Sequence, residues 1–439
     1  MINLITQASK YAVIILMAVY TVRSFTVFFA KTGRTTTGSF VFQTLLMLAI
    51  HFLMNLVVII NVRTVESAVF YAAQLAFFIV FLVIYSNIYK NASRLLIENM
   101  FFLMMVGFVY ISRLDMELAI KQFGIAVGAV ILSLFVPAII EKASFLKRIG
   151  PVYGILGILL VGSVFVFGST VYGATNWISI GGIGFQPSEI AKIVFVFFIA
   201  AMLYKEPDLK RIIITTAAAA VFVLILVVET DLGAAVIFFI TYLAMLYIAT
   251  GSFKWSGAGL GLGAVAAVAA WRIFSHVQRR VTAWLDPWSN YEDAGYQIAQ
   301  SLFAIGTGGW FGLGLFQGMP KIIPVVQSDF IFSAIWEECG GIFAVCLVLI
   351  YISCFLMFFN ISLQITNVFY KLLAAGLSIA LSVQTFLCIG GVTKFIPHTG
   401  VTLPLVSYGG SSILSTILTF AVIQGIYLLM RKEESRIAR

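Results

Sequence analysis

Long apolar stretches, separated by short polar ones, run through almost all of this chain of 439 residues. A helix that crosses a bilayer needs roughly 17–25 mostly apolar residues, and thirteen stretches approach that length. They lie at about 11–30, 40–62, 68–89, 97–112, 120–140, 150–171, 187–204, 211–228, 233–250, 255–275, 328–359, 369–389 and 403–430. The pattern predicts an all-α polytopic membrane protein with about 13 transmembrane helices.

Composition supports the same class. Hydrophobic residues make up 61% of the chain and charged residues 10%, and the mean hydropathy is +1.06. A soluble domain carries about 25% charged residues, so this chain has too few to cover a water-facing surface. The net charge of +9 comes without a basic face or a base-stacking module, which argues against nucleic acid as a partner.

Basic residues are distributed unevenly between alternate loops. With the C-terminus placed in the cytoplasm, the inner loops and the C-terminal segment carry sixteen of the 27 basic residues, and the outer loops carry nine. Cytoplasmic loops hold the excess of Lys and Arg in membrane proteins. Thirteen crossings then place the N-terminus outside.

Most of the unusual polar sequence falls on the predicted outer side. The largest outer segment, at about 276–327, is far longer than the roughly two to eight residues that usually join packed helices. It contains several aromatic residues, among them Trp284, Trp288, Tyr291, Tyr296 and Trp310. Aromatic rings favour the membrane interface, so we expect an ordered cap with amphipathic helices lying at the outer surface.

One carboxylate in this segment is a candidate general base. Asp286 lies between Trp284 and Trp288, and Arg279 and Arg280 precede it by about two helical turns. Apolar rings are expected to desolvate the carboxylate partly and to raise its pKa, while guanidinium groups suit a phosphate or pyrophosphate. The alternative is an interfacial amphipathic segment with an Asp-Pro turn.

Other ionisable residues occur within or beside spans. Glu189 and Lys192 share one helix face near the start of a span; such residues often face a cavity, although a self-neutralising structural pair is the alternative. Asp231 is interpreted as a helix N-cap. The pairs Glu229/Asp231 and Glu337/Glu338 are alternative sites for a divalent cation held together with substrate phosphates.

The last apolar stretch is interrupted by TGVTLPLVSYGGSS, residues 399–412. Non-helical backbone at membrane depth persists only where it is buried in protein or lines a polar cavity, so this segment is expected to belong to a site. Together with other motifs it resembles the SEDS family (FtsW, RodA and SpoVE), and the resemblance extends from about residue 98 to 430. The matching motifs are Asn176-Trp177, QPSEIAK at 186–192, DLG at 231–233, Asp286-Pro287, GYQ at 295–297, AIGTGG at 304–309, SDFIF at 328–332, Glu337-Glu338 and PLVSYGGSS at 404–412.

The resemblance implies a peptidoglycan glycosyltransferase that polymerises lipid II at the outer face of the bacterial cytoplasmic membrane. It implies that Asp286 is the catalytic carboxylate and that Trp177, Glu189 and Lys192 line a central cavity. Five further residues are assigned to substrate binding: Arg279, Arg280, Gln297, Ser407 and Ser411. The implied partner is a class B penicillin-binding protein (a transpeptidase) in a division or elongation complex; no cofactor is certain, and Mg²⁺ or Mn²⁺ is left open.

The chain also departs from the family pattern. Residues 1–97 add three spans to the ten-span core at 98–439, and Val325, Gln327, Cys388 and Lys394 stand where the family has other residues. Two other classes remain open: a flippase of the lipid-linked precursor, whose key residues would appear on both membrane faces, and a non-enzymatic scaffold of a cell-wall synthesis complex. The role in division, elongation or sporulation is likewise open.

Overall fold

The computed structural model describes residues 2–29, 37–171, 174–180, 183–205 and 208–437. Three of the sixteen basic residues assigned to the inner side, Lys31, Arg34 and Arg439, lie outside these ranges. The described helices are α1 (Ile2–Phe29), α2 (Thr37–Val62), α3 (Val65–Ile88), α4 (Arg94–Leu114), α5 (Met116–Ser133), α6 (Val136–Lys142), α7 (Gly150–Gly162), α8 (Val164–Phe167), α9 (Pro187–Leu203), α10 (Leu209–Val228), α11 (Leu232–Thr250), α12 (Phe253–Ile273), α13 (Ser275–Leu285), α14 (Tyr296–Gly308), α15 (Ile331–Gln364), α16 (Val368–Val392) and α17 (Gly410–Ile437). Short 3₁₀ helices cover Ser144–Arg148 and Pro320–Ile322.

The predicted helical membrane fold is confirmed. Within the described residues, twelve helical segments are long and apolar enough to cross a membrane. The stretch predicted at 187–204 corresponds to α9, whose 17 residues stand at the lower limit for a span, so the count of thirteen stays a prediction. The stretch predicted at 97–112 extends in the structure to Arg94–Leu114, and apart from exposed Arg94 and partly buried Arg113 its residues are buried.

A small antiparallel sheet between α8 and α9 was not expected from the sequence. Its strands are β1 (Ser169–Val171), β2 (Ala174–Ile180) and β3 (Ile183–Phe185), in the order β1-β2-β3. Ile178 pairs with Phe185 and Ile180 with Ile183. The strands are only three to seven residues long, which makes them hard to distinguish from the end of a span.

Side-chain contacts show which segments lie at the same end of the helix bundle. At one end, the Gln7 side chain donates to the Leu313 carbonyl at 3.0 Å and Lys10 donates to the Gly312 carbonyl at 3.2 Å. At the other end, Lys432 near the C-terminus pairs with Glu141. The start of α1 therefore lies beside the large predicted outer segment, as the predicted alternation requires; the membrane face on which each end lies stays a prediction.

The three N-terminal helices pack closely on the rest of the chain, α1 against α15 and α2 against α4. Polar contacts, one buried and one partly buried, cross this interface. The Tyr20 hydroxyl donates to Asn99 Oδ1 at 3.1 Å, and the Thr44 hydroxyl donates to Glu98 Oε1 at 2.9 Å. The boundary near residue 97 thus runs along an extensive interface, and the division into two domains stays a prediction.

Helix α15 is broken at Gly340, where φ is 85° and ψ is 169°. The break frees backbone groups that bond to the loop following α14. The Leu313 amide donates to the Glu337 carbonyl at 2.9 Å, and the Gly341 amide donates to the Gly309 carbonyl at 2.8 Å. Gly340 suits the position because its φ is one that other residues rarely adopt.

Candidate active site

Asp286 is the first residue after α13 and is fixed by its own turn. Its amide donates to the Thr282 carbonyl at 3.0 Å. Its Oδ1 accepts hydrogen bonds from the amides of Trp288 at 3.2 Å and Ser289 at 3.1 Å. An aspartate that binds the backbone two or three residues further on stabilises a turn, so the carboxylate is held in place before any ligand binds.

The prediction that Trp284 and Trp288 desolvate Asp286 is wrong. The Asp286 side chain is exposed, and Trp288 is itself 51% exposed. Trp284 turns its indole N–H away to the Lys394 carbonyl, at 3.1 Å. Hydrogen bonds from Ser289, aided by the Trp288 amide and the Lys394 charge, hold the pKa of Asp286 below its ordinary value. The group is therefore ionised at neutral pH.

The two neighbouring arginines have different surroundings. Arg279 is exposed and pairs with Asp293. Arg280 donates to the Thr399 carbonyl at 2.9 Å and lies near Asp231 and Asp329; burial lowers its pKa, and these two carboxylates oppose that shift. Of the two, Arg280 faces the interior of the predicted outer end.

Asp231 ties several elements together at this end. It caps α11, as predicted, because its Oδ1 accepts from the Ala234 amide at 3.1 Å. Its Oδ2 accepts from Asn176 Nδ2 at 3.1 Å, Gln186 Nε2 at 2.9 Å and the Ser188 hydroxyl at 3.3 Å. One carboxylate thus fixes β2 and the start of α9 to the start of α11.

The neighbouring Gly233 allows the segment before α17 to come close. A Cβ at this position would lie 2.3 Å from Val401 Cγ1 and 3.2 Å from the Thr399 carbonyl oxygen. In the DLG motif, Asp231 therefore caps α11, and Gly233 allows the segment before α17 to pack closely against α11. The Thr399 carbonyl lies between α11 and Arg280.

Glu229, directly before the cap, is buried with both carboxylate oxygens lacking a hydrogen-bond partner within the described part of the chain. Burial, with a smaller effect from Asp231, raises its pKa to about 8. Glu229 is therefore mostly protonated at neutral pH.

Trp177 lies on β2 and packs across the sheet. A Cβ at Gly184 of β3 would lie 3.1 Å from the Trp177 ring, so the absence of a side chain there gives the indole its space. Trp177 is half-buried and directly follows Asn176, which binds Asp231. The sheet thus holds Trp177 beside the N-terminal ends of α9 and α11.

Glu189 and Lys192 form a buried ion pair in α9, with Nζ and Oε2 2.8 Å apart. The Lys192 ammonium also donates to Gln384 Oε1 of α16. The Ser415 hydroxyl of α17 donates to Glu189 Oε2 at 2.7 Å. The pair therefore joins three helices, and both charges have partners without a substrate.

The remaining predicted substrate-binding residues are Ser407, Ser411 and Gln297. Ser407 accepts from the Leu403 amide at 2.9 Å and donates to the Ser328 carbonyl. Ser411 accepts from the Gln186 amide at 2.8 Å. Both serines are buried and their hydroxyls hold backbone, while Gln297 is half-buried in the first turn of α14. Their assignment to substrate binding stays a prediction.

Glu337 and Glu338 accept hydrogen bonds from backbone amides, and Glu338 also pairs with an arginine side chain. Glu338 pairs with Arg113 at 2.9 Å and accepts from the Phe316 amide at 2.9 Å. Glu337 accepts from the Met319 amide at 3.0 Å. Among the described residues, no group of three or more His, Cys, Asp or Glu side chains is arranged to hold a metal ion.

Sequence reasoning missed Gln384, which bridges the ion pair and the segment before α17. Besides accepting from Lys192, it donates to the Thr402 carbonyl at 3.2 Å. A signal was present, because a polar side chain in the apolar stretch 369–389 is costly in a membrane unless it has a function or a partner. Gln122 was missed in the same way; it binds the backbone of Ser407 and Gly409.

Comparisons with known proteins identify the family of this chain. The family model of the FtsW, RodA and SpoVE cell cycle proteins matches residues 93–432. The peptidoglycan glycosyltransferase RodA of Mycobacterium bovis is 36% identical over 300 residues, which cover 64% of each chain. A probable peptidoglycan glycosyltransferase FtsW of Alteromonas naphthalenivorans is 33% identical over 349 residues, which cover 75% of this chain and 68% of the relative. The chain thus spans about two thirds or less of the mycobacterial relatives that it matches.

Solved structures share the fold. A chain of a peptidoglycan synthase complex superimposes with a TM-score of 0.65 at 24% identity, covering 78% of this chain and 98% of the other. The rod shape determining protein RodA of Thermus thermophilus gives a TM-score of 0.57 at 22% identity, covering 78% and 97%. Both matches leave part of this chain uncovered.

Proposed function

Because this chain belongs to the FtsW, RodA and SpoVE family of cell cycle proteins, we propose that it is a peptidoglycan glycosyltransferase. In this proposal it polymerises lipid II into glycan strands at the outer face of the bacterial cytoplasmic membrane. The chain is a multi-pass membrane protein, and its relatives are named as established or probable peptidoglycan glycosyltransferases. The role in division, elongation or sporulation is not assigned.

The observation that carries the proposal is the turn at Asp286. It presents an exposed, ionised carboxylate, held by two backbone amides, at the end of a helix whose Arg280 is bonded to the segment before α17. A preformed carboxylate is what a general base needs, because the proton must move to a group already in position. The low pKa of Asp286 keeps it deprotonated at neutral pH.

The proposed step is one displacement. Asp286 takes the proton of the 4-hydroxyl on the acceptor sugar while that oxygen attacks the anomeric carbon of the growing chain. The bond from the anomeric carbon to the pyrophosphate breaks, and undecaprenyl pyrophosphate leaves with the electron pair. A single displacement inverts the anomeric centre from α to β. Binding of two sugars would exclude water from Asp286 and strengthen it as a base.

The cations near the reaction have separate proposed roles. Arg280 is partly buried and held by the Thr399 carbonyl, whereas Arg279 is exposed and paired with Asp293; we therefore assign the placing of the substrate's pyrophosphate to Arg280. Lys192 is already bonded to Glu189 and Gln384, so we assign the pair to the shape and charge of the central cavity.

We propose a divalent cation, Mg²⁺ or Mn²⁺, only as an ion that binds together with the substrate. The described side chains do not form a three-ligand group, whereas Mg²⁺ is often bound through one or two carboxylates together with substrate phosphates. No step above depends on it.

The test is polymerisation of purified lipid II by the purified protein, alone and with a class B penicillin-binding protein, the partner that we propose. Formation of glycan strands that require Asp286 supports the assignment. Transport of lipid II across vesicle membranes without polymerisation would favour the flippase, and neither activity together with specific binding to the transpeptidase would favour the scaffold.

A further inference from the structure

Lys394 occupies a position that ordinarily belongs to glycine. Helix α16 ends in a Schellman motif, because the Phe395 amide donates to the Gly390 carbonyl at 2.8 Å and the Lys394 amide donates to the Gly391 carbonyl at 3.2 Å. This motif requires a left-handed residue at the position of Lys394, and Lys394 has a φ of 61°. A lysine is less stable than a glycine in this left-handed conformation. The Lys394 side chain therefore lowers the local stability of the chain. Residues held in such conformations cluster at functional sites.

The strained residue lies beside the candidate general base. The Lys394 carbonyl accepts the indole N–H of Trp284 at 3.1 Å, two residues before Asp286. The Lys394 charge also helps to lower the pKa of Asp286. Within the described residues, Lys394 forms no ion pair with a carboxylate, and its side chain is half-exposed. Its ammonium group is thus not neutralised by an ion pair, and its charge acts on Asp286.

The surface around Lys394 changes from polar to apolar. Its neighbours Thr393 and Phe395 line the end of a groove between α15 and α16 with a volume of about 390 Å³. Other lining residues are Phe355, Phe386 and Ile389. A cation between an apolar surface and a carboxylate suits an anionic group that is attached to a lipid chain.

We propose that Lys394 binds the pyrophosphate of the lipid-linked donor during glycosyl transfer. This inference rests on the proposed function. The pyrophosphate is attached to the carbon that the acceptor oxygen attacks, so it lies within a few bond lengths of the general base. As the bond to that carbon breaks, the leaving pyrophosphate gains one negative charge, and the Lys394 ammonium stabilises it. The acceptor's proton goes to Asp286 and the ammonium keeps its own, so the step is balanced.

Three variants test the role of Lys394. Lys394→Met removes the charge, Lys394→Arg keeps it, and Lys394→Gly removes both the charge and the strain. Lys321→Met is the matched control, because Lys321 is an exposed lysine of the same outer segment. The probe is farnesyl pyrophosphate, measured by equilibrium binding to the purified full chain in nanodiscs and by inhibition of polymerisation; farnesol and inorganic pyrophosphate separate the contributions of the chain and the anion.

We expect Lys394→Met and Lys394→Gly to weaken binding of farnesyl pyrophosphate about tenfold to a hundredfold, the range for one hydrogen bond to a charged group. Lys394→Arg and Lys321→Met are expected to bind like the unsubstituted protein. Lys394→Gly is expected to raise the melting temperature while it weakens binding, a combination that a purely structural lysine would not produce.

Unchanged binding of farnesyl pyrophosphate by both Lys394→Met and Lys394→Gly would overturn the proposal, and so would equal losses in the Lys321→Met control. If the protein has no polymerase activity but its binding of farnesyl pyrophosphate depends on Lys394, the proposed pyrophosphate site stands and the proposed reaction is wrong. The binding and activity measurements therefore separate failure of this inference from failure of the proposed function.

Discussion

The Arg280 guanidinium donates a hydrogen bond of 2.9 Å to the Thr399 carbonyl, although the two residues are 119 positions apart. Arg280 lies on α13, which Asp286 directly follows, and Thr399 lies against Gly233 at the start of α11. This contact fixes the candidate base relative to the polar residues at the N-terminal ends of α9 and α11. The candidate site is therefore assembled from segments far apart in the sequence.

Replacement of Asp286 by Asn is expected to abolish polymerisation of lipid II. Asn keeps the shape and an acceptor for the Trp288 and Ser289 amides, but it does not take a proton, and loss of a general base costs about 10²- to 10⁴-fold. Initial rates on purified lipid II measure the effect, with thermal unfolding to confirm an intact fold. Asp293→Asn is the control, because Asp293 is an exposed carboxylate of the same segment. Normal synthesis by Asp286→Asn would reject the assignment.

Replacement of Glu229 by Gln is expected to flatten the pH dependence of stability. The folded-state pKa of about 8 lies above the ordinary value near 4.5, so folding favours the protonated form. The contribution of this group is fully present below about pH 4.5 and is lost as the pH rises through 8. The melting temperature, measured between pH 5 and 8.5, should therefore fall less in Glu229→Gln than in the unsubstituted protein. Glu292→Gln, at an exposed position, serves as the control; identical pH profiles for all three proteins would contradict this account.

Single replacements in the Glu189/Lys192 pair are expected to destabilise the protein more than the double replacement. Glu189→Gln or Lys192→Met leaves one buried charge without its partner, which costs about 3–5 kcal/mol, whereas removing both charges is often nearly neutral. Thermal unfolding in detergent measures the difference. The exposed pair Arg431/Glu434 is the control, since surface pairs contribute about 0–1 kcal/mol. A double variant that is the least stable of the set would show that the pair is not coupled in this way.

Cysteine labelling tests the orientation. In a background without the four native cysteines, Cys introduced at Ser289 should react with a membrane-impermeant thiol reagent in intact cells, because the positive-inside rule places residues 276–327 outside. Cys introduced at Ser252, before α12, should react only after permeabilisation. The reverse pattern would overturn both the topology and the external active site.

A chain that starts at Ala92 is expected to retain polymerase activity per folded molecule, because the candidate catalytic residues lie beyond the first three helices. Its stability should fall, since Glu98 and Asn99 lose their contacts with Thr44 and Tyr20 and would face lipid. Adding Glu98→Leu should recover part of the folded yield, because an unpaired carboxyl is costly in a bilayer. Size-exclusion profiles and polymerisation rates measure both effects. A well-folded but inactive truncated chain would show that residues 1–97 are part of the catalytic machinery.

The sequence predicted the features that depend on local pattern. Span positions follow from apolar length, and the cap at Asp231 follows from its place before α11. The environment of Asp286 was not predictable in the same way, because flanking tryptophans indicate burial only if their rings fold over the carboxylate, and Trp284 instead binds Lys394. Gln384 acquires its role from Lys192 of α9 and Ser412 of α17, which are distant in sequence. Such tertiary partners leave no periodic signal.

The break at Gly340 ties the assembly of α15 to that of the preceding loop. Amides of Leu313 and Gly314 occupy the carbonyls of Glu337 and Glu338, and the Gly341 amide uses the Gly309 carbonyl. During synthesis the loop emerges before the helix that completes its bonding, so neither part is finished until both are in place. An inserted epitope or a protease site at 309–314 should therefore impair membrane integration of α14, the loop and α15 together.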